Sequence, residues 1–509
     1  MVRRSSVNKA KTAEEPTIRQ LDWQLPYNPY PFTTILSDDQ IEAIHQASLT
    51  ILEDIGIHFL LEEARDIIKA AGGETKKGDD LVKFDRGLVM EAIAHTPSQF
   101  TVHARNPKHN IKIGGRHMAY ALVGSPPNVS DIEKGRRRGN VQDYCDLLKL
   151  GQYFNCCHII GGYPVEPIDL APSIRHLEAL RHMTVLSDKT FHAYSLGRER
   201  ILDGLEIARI VRNLDWETFK TQPSLFSIIN TSSPLRIDRP MLQGIIEMSK
   251  ASQVLVITPF TLSGAMAPVT IAGALAQQNA EALAGIAFTQ LVNKGAPVIY
   301  GGFTSNVDMR TGAPAFGTPE YAKAAIAGGQ LARRYNIPYR TSNVNASNAP
   351  DAQAAWESMM SLWPALTSGG HMIKHALGWI EGGLCASFEK IIMDVELLQM
   401  MMEFFKPLEI NDESLALSAV RDVGPGGHFF GCDHTMQRYR NAFYEPLLAD
   451  WNNFENWEDQ GAKTATKRAH HLYKKALLDY KKPAMDQSVR EELDDFVNRR
   501  VREGGVKEH

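Results

Sequence analysis

Little in this sequence suits cross-linking, membrane insertion or a polyanionic partner. Five cysteines in 509 residues cannot build a dense disulfide framework, so a reducing cytoplasm is the expected location. Cys156 and Cys157 are adjacent, a spacing that suits neither a mutual disulfide nor joint metal binding. No apolar run is long enough to span a bilayer. The formal net charge is only −4, which gives no reason to expect nucleic acid binding. The first twenty residues, MVRRSSVNKAKTAEEPTIRQ, are basic at first but have no apolar segment behind them, so they do not read as a signal peptide.

Nucleotide motifs are also missing. No G-x-G-x-x-G follows an expected strand, and no G-x-x-x-x-G-K-[ST] occurs. The glycine-rich stretch 424–431, GPGGHFFG, has no strand before it. S-adenosylmethionine is not expected, because it would need a glycine-rich turn after the first strand. There is no H-E-x-x-H and no C-x-x-C. His371 and His375, with Glu381 and Cys385 downstream, supply N, O and S donors in a short span. They sit on an expected strand and do not make up the ligand set of a dedicated zinc site, so no metal is expected.

What is present is the composition of an ordinary globular chain, 43% hydrophobic and 22% charged. Residues 1–36 are polar and proline-rich and are expected to form a loose, irregular arm. Ser37-Asp38-Asp39-Gln40 looks like a capping box opening an amphipathic helix. Further helices are expected over 61–71, stopped by Gly72-Gly73, and over 86–95. Residues 37–115 therefore read as a small α+β preface.

From there short β-rich runs alternate with long helical stretches. The runs are 119–123, 158–163, 190–195, 225–230, 254–260, 298–303, 339–344 and 372–377. Helix-compatible segments lie at 174–186, 201–213, 241–251, 268–292, 319–335 and 352–365. Alternation of this kind implies parallel strands joined by crossovers. About eight units match an α/β fold of the (β/α)₈ barrel type over 116–445. Glycine and proline inside the segments exclude an all-helical chain. A Met-rich helix follows at 391–405, and a charged helical tail covers 446–509.

In a barrel the C-terminal strand ends form the active-site rim. Aromatic side chains gather near those ends: Tyr120, Tyr163, Tyr194, Phe260, Tyr300 and Phe303, with Trp363 and Trp379 nearby. Such rings either pack the core or offer π faces to a cationic methylammonium. Arg340 lies inside the seventh run and His375 inside the eighth. A buried Arg needs a partner. That partner is either a substrate carboxylate in a bidentate pair or a structural acid.

Several long blocks carry a resemblance: 263–291, 300–319, 350–366 (PDAQAAWESMMSLWPAL) and 381–394. Together they resemble the trimethylamine methyltransferase family over most of the chain, from about Leu36 to the tail. The family implies a (β/α)₈ barrel and methyl transfer from an amine to the cobalt of a corrinoid on a separate small protein. Aligning Pro350-Asp351-Ala352-Gln353 with the family's Pro-Asp-Asp-Gln puts Val344 where pyrrolysine stands in some members. Pyrrolysine-free relatives act on glycine betaine and other quaternary amines. The resemblance therefore implies a glycine betaine:corrinoid methyltransferase giving dimethylglycine, with proline betaine, carnitine or choline as alternative substrates. A betaine-binding protein without catalysis is the alternative of another class. Arg340, His375, Glu381 and the aromatic residues are the expected substrate contacts. No covalent nucleophile is expected, and a homo-oligomer is.

Overall fold

The computed structural model describes residues 18–506; of the expected N-terminal arm, 1–17 lie outside the described residues. Eight parallel strands close a barrel in chain order: β1 (Ala119–Leu122), β2 (Ile159–Ile160), β3 (Thr190–His192), β4 (Leu225–Thr231), β5 (Val254–Pro259), β6 (Val298–Gly301), β7 (Tyr339–Ser342) and β8 (Met372–Leu377). β8 pairs with β1 and completes the ring. Seven fall inside the runs expected from sequence, and β4 extends one residue beyond its run, to Thr231. The crossover helices are α1 (Val141–Tyr153), α2 (Arg175–Leu186), α3 (Arg198–Val211), α4 (Arg239–Lys250), α5 (Ile271–Val292), α6 (Pro319–Arg334) and α7 (Ala352–Thr367); α8 (Phe388–Phe404) follows β8. Several start at an Asn, Asp, Ser or Thr whose side chain accepts from the first turn, as Asn140, Asp238, Thr318 and Asp351 do. Such a cap stabilises a helix by about 1 kcal/mol. The sequence reading did not single out α1.

Alternating strand residues fill the barrel interior and its outer wall. Ala119, Ile159, Phe226, Val254, Ile299 and Met372 form one buried cluster inside the barrel. Val102, Ile111 and Ile113 of the hairpin Gln99–Val102/Ile111–Gly114 join that cluster, with Trp23 and Leu25 packed on it. The N-terminal end of the barrel is thereby sealed with apolar side chains. The described part of the arm, 18–36, has no helix, as expected. It is not loose, however: Met118 N donates to Pro26 O (2.9 Å), Thr33 N to Thr367 O (2.9 Å) and Leu21 N to Gln399 Oε1 (2.7 Å).

Helix α5 is buried on every face from Ala274 to Gln290, its polar Gln277, Gln278, Asn279 and Glu281 included. Its outer side meets the helices Asp38–Thr50, which opens with the expected Ser37/Gln40 capping box, and Arg86–Ile93. Ser48 Oγ donates to Ala276 O at 2.9 Å. The small sheet beside them combines Ile57–Phe59, Glu74–Thr75 and Leu81–Lys83 with Arg236–Ile237, which follows β4.

The tail packs back on the barrel. Helix Ala465–Asp479 lies on α8, where His470 Nδ1 meets Glu389 Oε1 at 2.7 Å. Helix Gln487–Arg502 lies on α2 and α3. There Asp203 accepts from Arg500 Nε (2.8 Å) and Nη2 (3.1 Å) and meets His176 Nε2 at 2.8 Å. Among the described residues no helix is long and apolar enough to cross a membrane.

Asp203→Ala removes the shared partner of a buried His and an Arg. It is expected to cost about 2–4 kcal/mol in urea unfolding, with early proteolytic release of the last helix. A loss under about 0.5 kcal/mol, the size of an ordinary surface change, would mean that apolar packing alone holds that helix.

Candidate functional site

A cavity of about 520 Å³ lies at the C-terminal strand ends. Every strand, or the turn just after it, supplies lining: Gly124 and Ser125 after β1, Tyr163 after β2, His192 and Tyr194 from and after β3, Ile228 and Asn230 of β4, Phe260 after β5, Phe303 after β6, Arg340 of β7, and Lys374 and His375 of β8. Trp379 and Gly383 close one side. This is the size of a small-molecule site.

Two basic side chains dominate its chemistry. Arg340 is 2% exposed and Lys374 3%. Arg340 Nη1 donates to Gly302 O at 3.3 Å, while its Nε has no partner. The guanidinium lies 4.9 Å from the centre of the Phe303 ring, which in turn stacks on Phe260 (5.1 Å) and Phe316 (5.7 Å). Burial pulls the Arg340 pKa down to about 10. Among the described residues Lys374 Nζ has no hydrogen-bond partner. Burial, then Arg340, holds its pKa well below the usual lysine range. Among the described residues no acid forms an ion pair with either cation. Glu166, a carboxylate on the cavity wall, is paired with Arg175 at 2.7 Å.

Burial holds the histidines here, His192 and His375, well below the usual imidazole range. Ile228 N–H donates to His192 Nε2 (3.1 Å), so Nδ1 carries the proton toward Gly161 O (3.3 Å). His375 stacks on Trp379 at 5.1 Å and 17°. Burial, Lys374, Arg340 and His192 all hold its pKa well below the normal histidine value. On the opposite wall, the Tyr163 and Tyr194 rings meet edge to face at 4.6 Å, and Tyr194 Oη shares a 2.7 Å hydrogen bond with Ser125 Oγ.

Adjacent strand residues normally face opposite ways, yet Lys374 and His375 both reach the cavity. A bulge explains this. His375 has φ +56°, and the β8–β1 register shifts between Ile373 and Leu377. Asn343, just past β7, bridges the irregularity: its N donates to Lys374 O (3.0 Å) and its Nδ2 to Ala376 O (3.2 Å). Asp394 of α8 holds the arrangement from behind. It accepts from Asn343 Nδ2 (3.2 Å), Gly378 N (2.8 Å) and Lys390 Nζ (2.5 Å), all buried.

Of the expected contacts, the cavity brings together Arg340, His375, Tyr163, Tyr194, Phe260 and Phe303. Tyr120 and Tyr300 do not line it. Ala119, Ala121 and Ile299 take the inward positions beside them, so both tyrosines face the outer helices. Tyr120 packs on His158 (5.3 Å), and Tyr300 Oη donates to Asn279 of α5 (3.1 Å). Glu381 also lies off the cavity, bound to Arg136 at 2.9 Å. Val344 is fully buried in the loop after β7 and does not line the cavity either. His371 sits at the other end of β8, where its Nδ1 accepts from Tyr339 N (2.9 Å). It cannot join His375, and Cys385 lies on a separate sheet. Trp363 is half-exposed on α7 against Phe404. Lys374 and His192 were missed by sequence reasoning. The signal for Lys374 was a charge two residues from inward-facing Met372 in an otherwise apolar strand.

The model of the family described as trimethylamine methyltransferase (MTTB) matches residues 2–505. The chain belongs to that family. It is 35% identical to a glycine betaine methyltransferase of Desulfitobacterium hafniense (strain Y51) over 93% of this chain and 98% of the relative. It is 28% identical to the trimethylamine methyltransferase MttB of Desulfitobacterium hafniense (strain DSM 10664 / DCB-2), over 92% and 94%. Among solved structures, the monomethylamine methyltransferase MtmB of Methanosarcina barkeri superposes with a TM-score of 0.47 and 12% identity, over 87% of this chain and 93% of that one.

In this MTTB-family chain, Asp394→Asn keeps the shape but leaves Lys390 without its counter-charge. The expected cost is about 3 kcal/mol by denaturant unfolding, with ligand affinity lost as the bulge relaxes. A stability change under about 0.5 kcal/mol with unchanged affinity would show that the bulge stands without it.

Proposed function

We propose that this chain transfers a methyl group from a carboxylated quaternary amine, glycine betaine first, to the cobalt of a corrinoid carried by a small partner protein, releasing dimethylglycine. The observation that carries the reading is Arg340, a cation buried in the cavity with no acid beside it among the described residues. Removing such a charge from water costs several kcal/mol. One carbonyl contact and a cation–π contact of roughly 1–2 kcal/mol do not offset that. A ligand carboxylate in a bidentate pair does.

The trimethylammonium end needs π faces and no proton donor. Tyr163, Tyr194, Phe260 and Trp379 supply the faces. Phe303 serves mainly as the platform under Arg340. The neutral side chains of His375 and His192 add no charge to repel the ammonium. A quaternary nitrogen is already fully cationic and leaves as a neutral amine, so the chain has only to position the methyl and exclude water. The reduced corrinoid supplies the nucleophile. It would approach from the C-terminal face, where the cavity lies. Val344 has no group that could activate a tertiary amine, which favours quaternary substrates. The relative named as a glycine betaine methyltransferase favours the same reading.

Choline lacks the carboxylate that Arg340 calls for; proline betaine and carnitine keep it. A cytoplasmic location fits five free cysteines. A homo-oligomer fits the exposed Leu408, Ile410, Phe430 and Phe443 of the stretch between α8 and the tail. No zinc or S-adenosylmethionine step is part of the reaction as proposed.

Purified protein with reduced cobalamin is expected to release dimethylglycine from glycine betaine and to leave trimethylamine untouched. Turnover of trimethylamine at a comparable rate would mean that another group activates tertiary amines. Arg340→Ala is expected to weaken betaine binding in calorimetry by about one to two powers of ten. Arg340→Lys is expected to restore only part, for want of the planar fork. Unchanged affinity with a large fall in melting temperature would make Arg340 structural.

A further inference from the structure

Lys374 is the buried ionisable group that the reading above leaves without a task. Its side chain is buried, and among the described residues its Nζ has no hydrogen-bond partner. The slot around it exists because β1 and β2 are each followed by glycine. A Cβ at Gly161 would lie 3.0 Å from Nζ and 2.1 Å from Leu122 O; a Cβ at Gly124 would lie 3.3 Å from Nζ. The charged and titratable groups that face Lys374 are Arg340 of β7, His192 of β3 and His375 of β8. None is an acid. The ring nitrogens of His192 are committed to Ile228 N and Gly161 O, so it offers no acceptor. An ammonium in this place has nothing to bind, and burial beside Arg340 disfavours it further.

We infer that Lys374 is the second anion-binding residue of the cavity. It takes one carboxylate oxygen of the substrate while Arg340 takes the other, and it picks up a proton from solvent as the carboxylate enters. This rests on the reading of the cavity as a site for a carboxylated quaternary amine. In the empty site burial and the neighbouring Arg340 bias Lys374 toward the neutral amine. An entering carboxylate and one proton from water convert it to an ammonium–carboxylate pair, so charge and protons balance. A ligand that has only the quaternary nitrogen gives the lysine no reason to charge. The pair of groups thus selects zwitterions over simple cations, and betaine affinity falls as pH rises.

The test is titration calorimetry on the full chain at about pH 8, repeated in buffers of different ionisation enthalpy, which counts protons taken up on binding. The probes are glycine betaine, acetate and tetramethylammonium. Uptake near one proton is expected for betaine and acetate, and none for tetramethylammonium. Lys374→Met is expected to abolish the uptake and to weaken betaine and acetate by about ten- to a hundredfold. It should leave tetramethylammonium affinity unchanged and the melting temperature equal or higher. Betaine binding with no proton uptake by the unaltered protein overturns the inference even if the variant does not fold. So does uptake that persists in Lys374→Met; the functional reading survives either result. Acetate binding that depends on Lys374, without betaine binding, keeps the anion site and sinks the functional reading. If neither anion binds, both fall.

Discussion

A positive charge held out of water with no acid beside it is the constraint on which this structure turns. Arg340 enters the barrel from β7, where the Gly302 carbonyl and the Phe303 face receive it. The surrounding residues are arranged so that this charge can stay. Phe303 is itself stacked between Phe260 and Phe316, so the platform cannot swing away. Two basic neighbours, His375 and Lys374, are held toward their neutral forms by burial and by Arg340. A second fixed charge there would cost several kcal/mol in so dry a place. Glu166, the carboxylate on the cavity wall, is tied to Arg175. A site built this way is most stable when an anion arrives from outside.

The rest of the fold keeps that arrangement rigid. Apolar side chains fill the N-terminal half of the barrel, and the Gln99–Gly114 hairpin with Trp23 and Leu25 closes it from below. On the C-terminal side, the Asp394–Lys390–Asn343 network fixes the β8 bulge, and the bulge lets two consecutive residues face one cavity. The preface and the tail act further out. One clamps α5 and the other α2, α3 and α8, the helices that back the strands carrying the site.

The architecture was legible because its signals are local and repeated. Strand runs of β-branched and aromatic residues alternate with capped helices, and a parallel barrel follows from that order. The Ser37/Gln40 box was readable for the same reason. Two kinds of site information were less legible. Which face a strand residue takes depends on register: Tyr120 and Tyr300 lie at strand ends rich in aromatics, yet alternation turns them outward. The bulge at His375 reverses that parity within β8, so no count along the sequence could place both Lys374 and His375 inside. Long-range partners were also out of reach. Nothing near Glu381 in sequence announces Arg136, and nothing near Ile57–Phe59 announces the Arg236–Ile237 strand that completes its sheet.

At the centre of this reading, Arg340 of β7 and Lys374 of β8 receive a carboxylate while the tyrosine-lined wall receives the methylated nitrogen. A crystal structure with glycine betaine bound tests it most directly. The account predicts carboxylate oxygens within hydrogen-bond reach of Arg340 and Lys374, with the methyl groups against Tyr163, Tyr194 or the rings of Phe260 and Trp379. A betaine bound the other way round, with its trimethylammonium beside Arg340, or bound outside this cavity, would contradict it.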